Sequence, residues 1–352
     1  MNKIIKVGIT QGDINGISYE VILKSFDDNR IFELMTPILY GSSKILAYYR
    51  KLLDLPPINT NTISQANEAG NNRLNIINCA GEDVNVELSQ STQEAEQFAK
   101  EAMKKALEDM ERGAIDVLVT TPSSINEFSY LNEQIQKDEK FLKILVNDSL
   151  RIALATDKLP LTEVSSSLDK KIIAEQIRIL HASLINDFMV TTPRIAVLSF
   201  NPGAGIKEQQ FGKEETEVIV PAIQGIKDAG IICFGPYAAD EFFGSNEYQR
   251  FDAVLAIYHD QGLIPFRTIS AGKGTTYIAN STYVITSPDH NVAYEKAGKN
   301  QLSGDSLRDA LYMAIDILRN RRFNAESKAN PLKKQYFERG SDNEKLDLTR
   351  DE

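Results

Sequence analysis

A histidine and a carboxylate stand together where an apolar run ends: Tyr258-His259-Asp260-Gln261-Gly262 follows Ala253-Val254-Leu255-Ala256-Ile257. Such a run reads as a buried strand, and in open α/β sheets ligands sit just beyond the carboxyl ends of strands. An imidazole there can ligate a metal or move a proton; a histidine satisfied by the core is the alternative that the pentapeptide leaves open. Three further stretches place polar groups after apolar ones: Ile9-Thr10-Gln11-Gly12-Asp13, Leu198-Ser199-Phe200-Asn201-Pro202 and Ser287-Pro288-Asp289-His290. Gly12, Asp13 and Gly16 equally suit plain turn chemistry.

The elements that must position these groups alternate in type. Ile5-Ile9, Pro37-Tyr40, Leu74-Asn78, Val117-Thr120, Arg151-Ala155, Arg194-Phe200, Ile231-Phe234, Ala253-Tyr258 and Tyr283-Thr286 read as strands. Thr92-Arg112, Lys171-Asp187, Glu214-Ala229 and Leu307-Asn320 read as helices. The alternation predicts a mostly parallel sheet flanked by helices. On the second helix Ile172, Ile173, Ile177, Ile179, Leu180 and Leu184 form a stripe for packing on a sheet, and His181 beside it reads as a structural residue. No internal repeat points to a solenoid.

The chain of 352 residues is long enough for two lobes. Its net charge of −10 argues against nucleic acid as a partner. No apolar stretch is long enough to span a bilayer, and Met1-Asn2-Lys3-Ile4-Ile5-Lys6 leads into a strand rather than a signal-peptide core, so a cytoplasmic protein is expected. Cys79 and Cys233 are too few for a disulfide framework and read as buried thiols.

In order, from about Ile4 to about Arg322, the four motifs resemble those of the 4-hydroxythreonine-4-phosphate dehydrogenase family of pyridoxine (vitamin B6) and pyridoxal phosphate biosynthesis, with this chain a divergent member. The resemblance implies the two-lobed α/β fold of the isocitrate and isopropylmalate dehydrogenases, with a central cleft and a homodimer. It implies residues 1–325 as that unit and 326–352 as a charged C-terminal arm. It also implies NAD-dependent oxidation of a phosphorylated hydroxy amino acid, whose β-keto acid product loses carbon dioxide. A divalent metal suits both steps, because one Lewis acid can polarise the alcohol and then hold the enolate. In the family three histidines ligate it.

By that resemblance His259 is the third metal ligand. The first falls at Lys158, in Ala155-Thr156-Asp157-Lys158-Leu159-Pro160-Leu161, and the second at Gly203, after Asn201-Pro202. An ammonium repels a dication and glycine offers no donor, so the family-type metal site is expected to be lost. The family's substrate-binding His and Thr fall at Asp138 and Glu139, two acids that would repel an anionic ligand. Arg267 matches a lysine that grips the substrate phosphate, while Ile125, Thr276 and Ile285 stand where the family has Lys, Asn and Arg. NAD is expected at His290, Asn291, Gly298 and Lys299, with Asn291 replacing a glycine as the residue most tolerant of positive φ.

Lys158, Asp240 and Asp260 are the candidate catalytic residues. Lys158 is expected to substitute electrostatically for the metal, near His259 and paired with Asp240 or Asp260. Asp240 equally suits a helix cap. Asp138, Asp157, Asp240 and Asp260 are the oxygen donors from which a rebuilt Mg²⁺ or Mn²⁺ site would be made. Three functions stay open: a protein that has lost the parent reaction and binds a metabolite or pairs with an active paralogue; an active NAD-dependent dehydrogenase on the same or a related phosphorylated hydroxy acid; and a non-catalytic structural partner. Replacements confined to the chemical centre favour the first.

Overall fold

Val117 and Val119 pack into one hydrophobic core while Leu118 between them packs into another. That alternation is the period of a strand covered on both faces. The computed structural model describes residues 4–79, 84–135, 140–203 and 212–329. Within them twelve strands form one sheet: β1 (Ile5–Thr10), β2 (Met35–Gly41), β3 (Thr60–Ile63), β4 (Leu74–Asn78), β5 (Val117–Val119), β6 (Leu142–Val146), β7 (Arg151–Leu154), β8 (Ile195–Leu198), β9 (Cys233–Tyr237), β10 (Ala253–Ala256), β11 (Thr275–Ala279) and β12 (Ile285–Pro288). Their order across the sheet is β3-β4-β2-β1-β5-β12-β11-β6-β7-β10-β8-β9.

Eight of the strand pairs are parallel. The three antiparallel pairs, β12 with β11, β11 with β6 and β6 with β7, adjoin one another in the middle. Three reversals in succession leave β7, β10, β8 and β9 running opposite to β1, β2, β4 and β5. The sheet is therefore two parallel halves joined by an antiparallel seam. On one face a single core spans both halves, including Val7, Val117, Ile144 and Ala153. On the other face the core is split, one part around Leu118 and Ile285 and the other around Leu145, Ile152 and Leu263. The cleft lies where these two cores part.

The helices follow local signals. Thr92 Oγ1 accepts the Ala95 N–H and starts helix Gln93–Glu111, which buries Ala95, Ala99, Ala102 and Ala106 at helical spacing. Asp169 caps helix Lys170–Asn186, on which His181 is half-buried and outside the cleft. The expected helix from Glu214 divides: Glu214–Ile219 is π-wound and Val220–Asp228 is α-helical. Pro221, at the junction, has no N–H to donate to an i−4 carbonyl. The last helix, Asp305–Ala329, runs past the expected start of the arm; the rest of that arm lies outside the described residues. Cys79 is half-buried and Cys233 buried, both free thiols raised in pKa by burial, to about 11 and about 12. None of the helices among the described residues is long and apolar enough to cross a membrane.

Candidate active-site cleft

Thr276 and Ile278 lie two apart on β11, as do Ile285 and Ser287 on β12, and all four line a cleft of about 880 Å³. Its other walls are loops that follow strand carboxyl ends: Thr120 to Phe128 after β5, Asp157 and Lys158 after β7, His259 after β10, and Asp289 to Lys296 after β12. The volume is that of a small-molecule site. Ile125, Thr276 and Ile285 all border it.

His259 opens helix His259–Ser270. Its Nδ1 lies 2.7 Å from Asp260 Oδ1. A carboxylate only accepts, so Nδ1 is the donor in this contact. The Asp260 side chain is 72% exposed and is held against the imidazole by this contact. Gln261 accepts the Ile257 N–H and donates to the Ser199 carbonyl, tying β10 to the Ser199-Asn201 turn after β8.

Lys158 lines the cleft with His259 but is exposed and forms no ion pair with Asp240 or Asp260, contrary to the expected pairing. Asp260 is taken by His259. Asp240 is exposed in the first turn of helix Ala239–Gly244, outside the cleft, and the cap position is Ala238, so Asp240 is not the cap either. Arg267 reaches the cleft, yet its Nε and Nη2 both donate to Asp289 at 3.0 Å. That bidentate pair raises the guanidinium pKa and occupies the fork that a phosphate would use. Asp138 and Glu139 lie outside the described residues.

In the expected cofactor loop His290 and Asn291 line the cleft, while Gly298 and Lys299 lie beyond it. Burial lowers the His290 pKa, favouring the neutral imidazole. Positive φ falls at Ala293, Gly298 and Asn300 rather than at Asn291, so the tolerance of asparagine for that conformation is not used there. Gly16 holds this loop: a Cβ on it would lie 2.4 Å from Val292 Cγ1, and the next N–H, of Ile17, donates to the Val292 carbonyl. Tyr294 donates to Asp13 Oδ2 at 2.7 Å. The first motif therefore clamps the loop after β12.

Gly203 follows β8 at φ 66° and does not line the cleft. Among the described residues no three His, Cys, Asp or Glu side chains converge to hold a metal ion. With an ammonium at position 158, the donors do not fit the three-histidine metal of the family.

Sequence reasoning missed Glu127, Lys143 and the role of Asp289. Glu127 accepts from Thr120 Oγ1 at 2.9 Å, and its Oε1 is shielded from solvent. Burial pushes its carboxyl up to about 7, against the opposing pull of the Thr120 hydrogen bond and of the Lys143 and Lys158 charges. The ordinary value is 4.5, so between 4.5 and about 7 the folded protein binds a proton that the unfolded chain has released. Stability should fall as pH rises through that window, and Glu127→Gln should flatten the fall. Urea unfolding on either side of the window reads it; an unchanged slope in the variant would refute the assignment.

Fold and cleft together define an α/β protein of the isocitrate and isopropylmalate dehydrogenase type. The chain belongs to the family described as "Pyridoxal phosphate biosynthetic protein PdxA", whose profile matches residues 33–314. It is 46% identical to a Bacteroides thetaiotaomicron 4-hydroxythreonine-4-phosphate dehydrogenase, over 98% of this chain and 97% of that one. A Sulfurihydrogenibium protein of the same name is 30% identical over 90% of this chain and all of its own. The crystal structure of the Klebsiella pneumoniae 4-hydroxythreonine-4-phosphate dehydrogenase shares the fold, with TM-score 0.75 and 23% identity, covering 89% of this chain and 99% of that one.

Proposed function

We propose that the cleft binds a phosphorylated hydroxy amino acid beside NAD, as in the family, and that the metal-dependent oxidation has been lost from this chain. The observation that carries this reading is Lys158, which brings an ammonium into the cleft that holds His259, where the family places a second imidazole. A cation there opposes a dication by direct repulsion. NAD would lie along the loop from Ser287 to Lys296, which lines the cleft, and would supply a hydride acceptor. His259 Nε2 is the proton acceptor nearest in kind to what an alcohol oxidation needs, and Asp260 orients it. Lys158 offers an ammonium to the acidic end of the ligand.

The test is calorimetric titration of the full chain with 4-hydroxythreonine 4-phosphate, once with EDTA and once with Zn²⁺. Affinity should agree within about threefold between the two, a difference of under 1 kcal/mol. Binding that needs the metal would overturn the reading. An active dehydrogenase is the second reading, favoured by 46% identity to the Bacteroides enzyme along nearly the whole chain.

A further inference from the structure

Lys143 is the one charged residue on β6, an otherwise apolar strand in the antiparallel seam. Its register partner on β11 is Ile278, which belongs to one of the two split cores. Leu145, two residues further along β6 and so on the same face, belongs to the other. Lys143 therefore stands where the two cores part, on the floor of the cleft, and its side chain is 17% exposed, so solvent in the cleft reaches it. Asp157 Oδ1 lies 3.6 Å from Lys143 Nζ, close enough for an ion pair and too long for a hydrogen bond. Among the described residues no acceptor takes any of the three N–H donors of this ammonium. Thr276, two residues from Ile278 on β11, borders the same cleft, and its hydroxyl makes no hydrogen bond among the described residues either. A charge set between apolar cores lowers stability unless water or a ligand completes its donors.

We propose that Lys143 is the seat of the ligand's carboxylate, with the Thr276 hydroxyl as a second donor. The inference rests on reading the cleft as a site for a phosphorylated hydroxy amino acid. Such a ligand has two acidic groups, and Lys143 and Lys158 offer ammonium groups at different depths, one on the floor and the other exposed. The cost of leaving water grows with the square of the charge, so the singly charged carboxylate is the group to be drawn down between the cores. The doubly charged phosphate keeps more of its water beside Lys158. Asp157 opposes an anion with one negative charge, against the two positive charges of Lys143 and Lys158. Glu127, its carboxyl lifted by burial to about 7, adds less than a full charge at neutral pH. Asp157 thus holds the ammonium in place and leaves its donors to the ligand. Lys143 acts in binding and orientation, and no bond-making step is assigned to it.

The experiment is calorimetry on the full chain in EDTA with two ligands, 4-hydroxythreonine 4-phosphate and the same molecule with hydrogen in place of the carboxyl group. The wild type should bind the second ligand at least about tenfold more weakly. Lys143→Met and Lys143→Gln, each checked for folding by circular dichroism, should lose about tenfold for the complete ligand. Both should keep the wild-type affinity for the ligand without a carboxylate within about twofold. Lys158→Met, at an exposed position, should weaken both ligands alike and preserve the difference between them. Equal binding of the two ligands by the wild type would mean that water alone completes the ammonium, and would overturn the inference. A difference that survives the Lys143 substitutions, or that vanishes in Lys158→Met, would overturn it too, and in each of these cases the reading of the cleft stands. If the wild type binds neither ligand, that reading fails and the inference falls with it.

Discussion

Purified protein given 4-hydroxythreonine 4-phosphate and NAD, with Zn²⁺, Co²⁺, Mn²⁺ or Mg²⁺ supplied in turn, should form NADH at least about a thousandfold more slowly than the usual enzyme scale of roughly 1 to 1000 per second. Losing the metal removes the group that would stabilise developing charge on the substrate oxygen, and a single preorganised donor of that kind is already worth about a hundredfold to a thousandfold. Ile285, 1% exposed on β12, borders the cleft where the family resemblance puts an arginine, and its side chain offers no charge to an anion. Lys158→His, Gly203→His and Ile285→Arg combined should restore Zn²⁺ binding by calorimetry, and no single change should. Gly203 makes this demanding: a Cβ there would meet no atom of the described residues within 4 Å, but φ 66° strains any histidine by about 1 to 2 kcal/mol. Native turnover on the ordinary scale would sink the proposed loss of chemistry. Zn²⁺ binding by a single revertant would mean that a ligand outside this set takes part.

The cleft was legible where it is built from strand ends. Ala253 to Ile257 announces a buried strand, and the histidine that follows it lands in the cleft. The parallel halves were largely legible for the same reason, since most strands there are short apolar runs. The seam was not. β11, Thr275-Thr276-Tyr277-Ile278-Ala279, gives no strong apolar signal, and it pairs with β6, more than a hundred residues earlier. β6 itself and the polar edge strand β3 were missed too. β9 was expected at Ile231-Phe234 and runs instead from Cys233 to Tyr237, because an edge strand tolerates Pro236.

Pairings between loops were beyond local reading altogether. Arg267 reads as a free phosphate grip until the structure brings Asp289 beside it. Lys158 reads as the partner of Asp240 or Asp260, yet one of these sits outside the cleft and the other is held by His259. Glu127 is one glutamate among many in the sequence. Its burial beside Thr120 comes from how the loop after β5 folds back onto the end of that strand.

Glu215 should be the most stability-critical of the residues that shape the Asn201-Pro202 turn, and Glu215→Ala should cost about 3 kcal/mol. The side chain is fully buried in the π-wound turn. Its Oε1 accepts the Phe200 and Asn201 N–H groups at 2.8 and 2.7 Å, and its Oε2 accepts from Asn201 Nδ2 at 2.8 Å. Alanine leaves the Phe200 and Asn201 N–H groups without their acceptor at about 1 to 3 kcal/mol each, reduced where water can reach half-buried Asn201, while Asn201 Nδ2 still donates to Glu214 Oε2 at 3.2 Å. Glu215→Gln keeps the volume but turns one acceptor into an NH₂ that faces donors, so it should cost roughly half as much. Urea unfolding of both variants measures this. A loss below about 1 kcal/mol for alanine would show that the turn holds its shape without the carboxylate. The expected loss would make Glu215 the support for the segment that carries Gly203, and any attempt to rebuild the metal site must keep it.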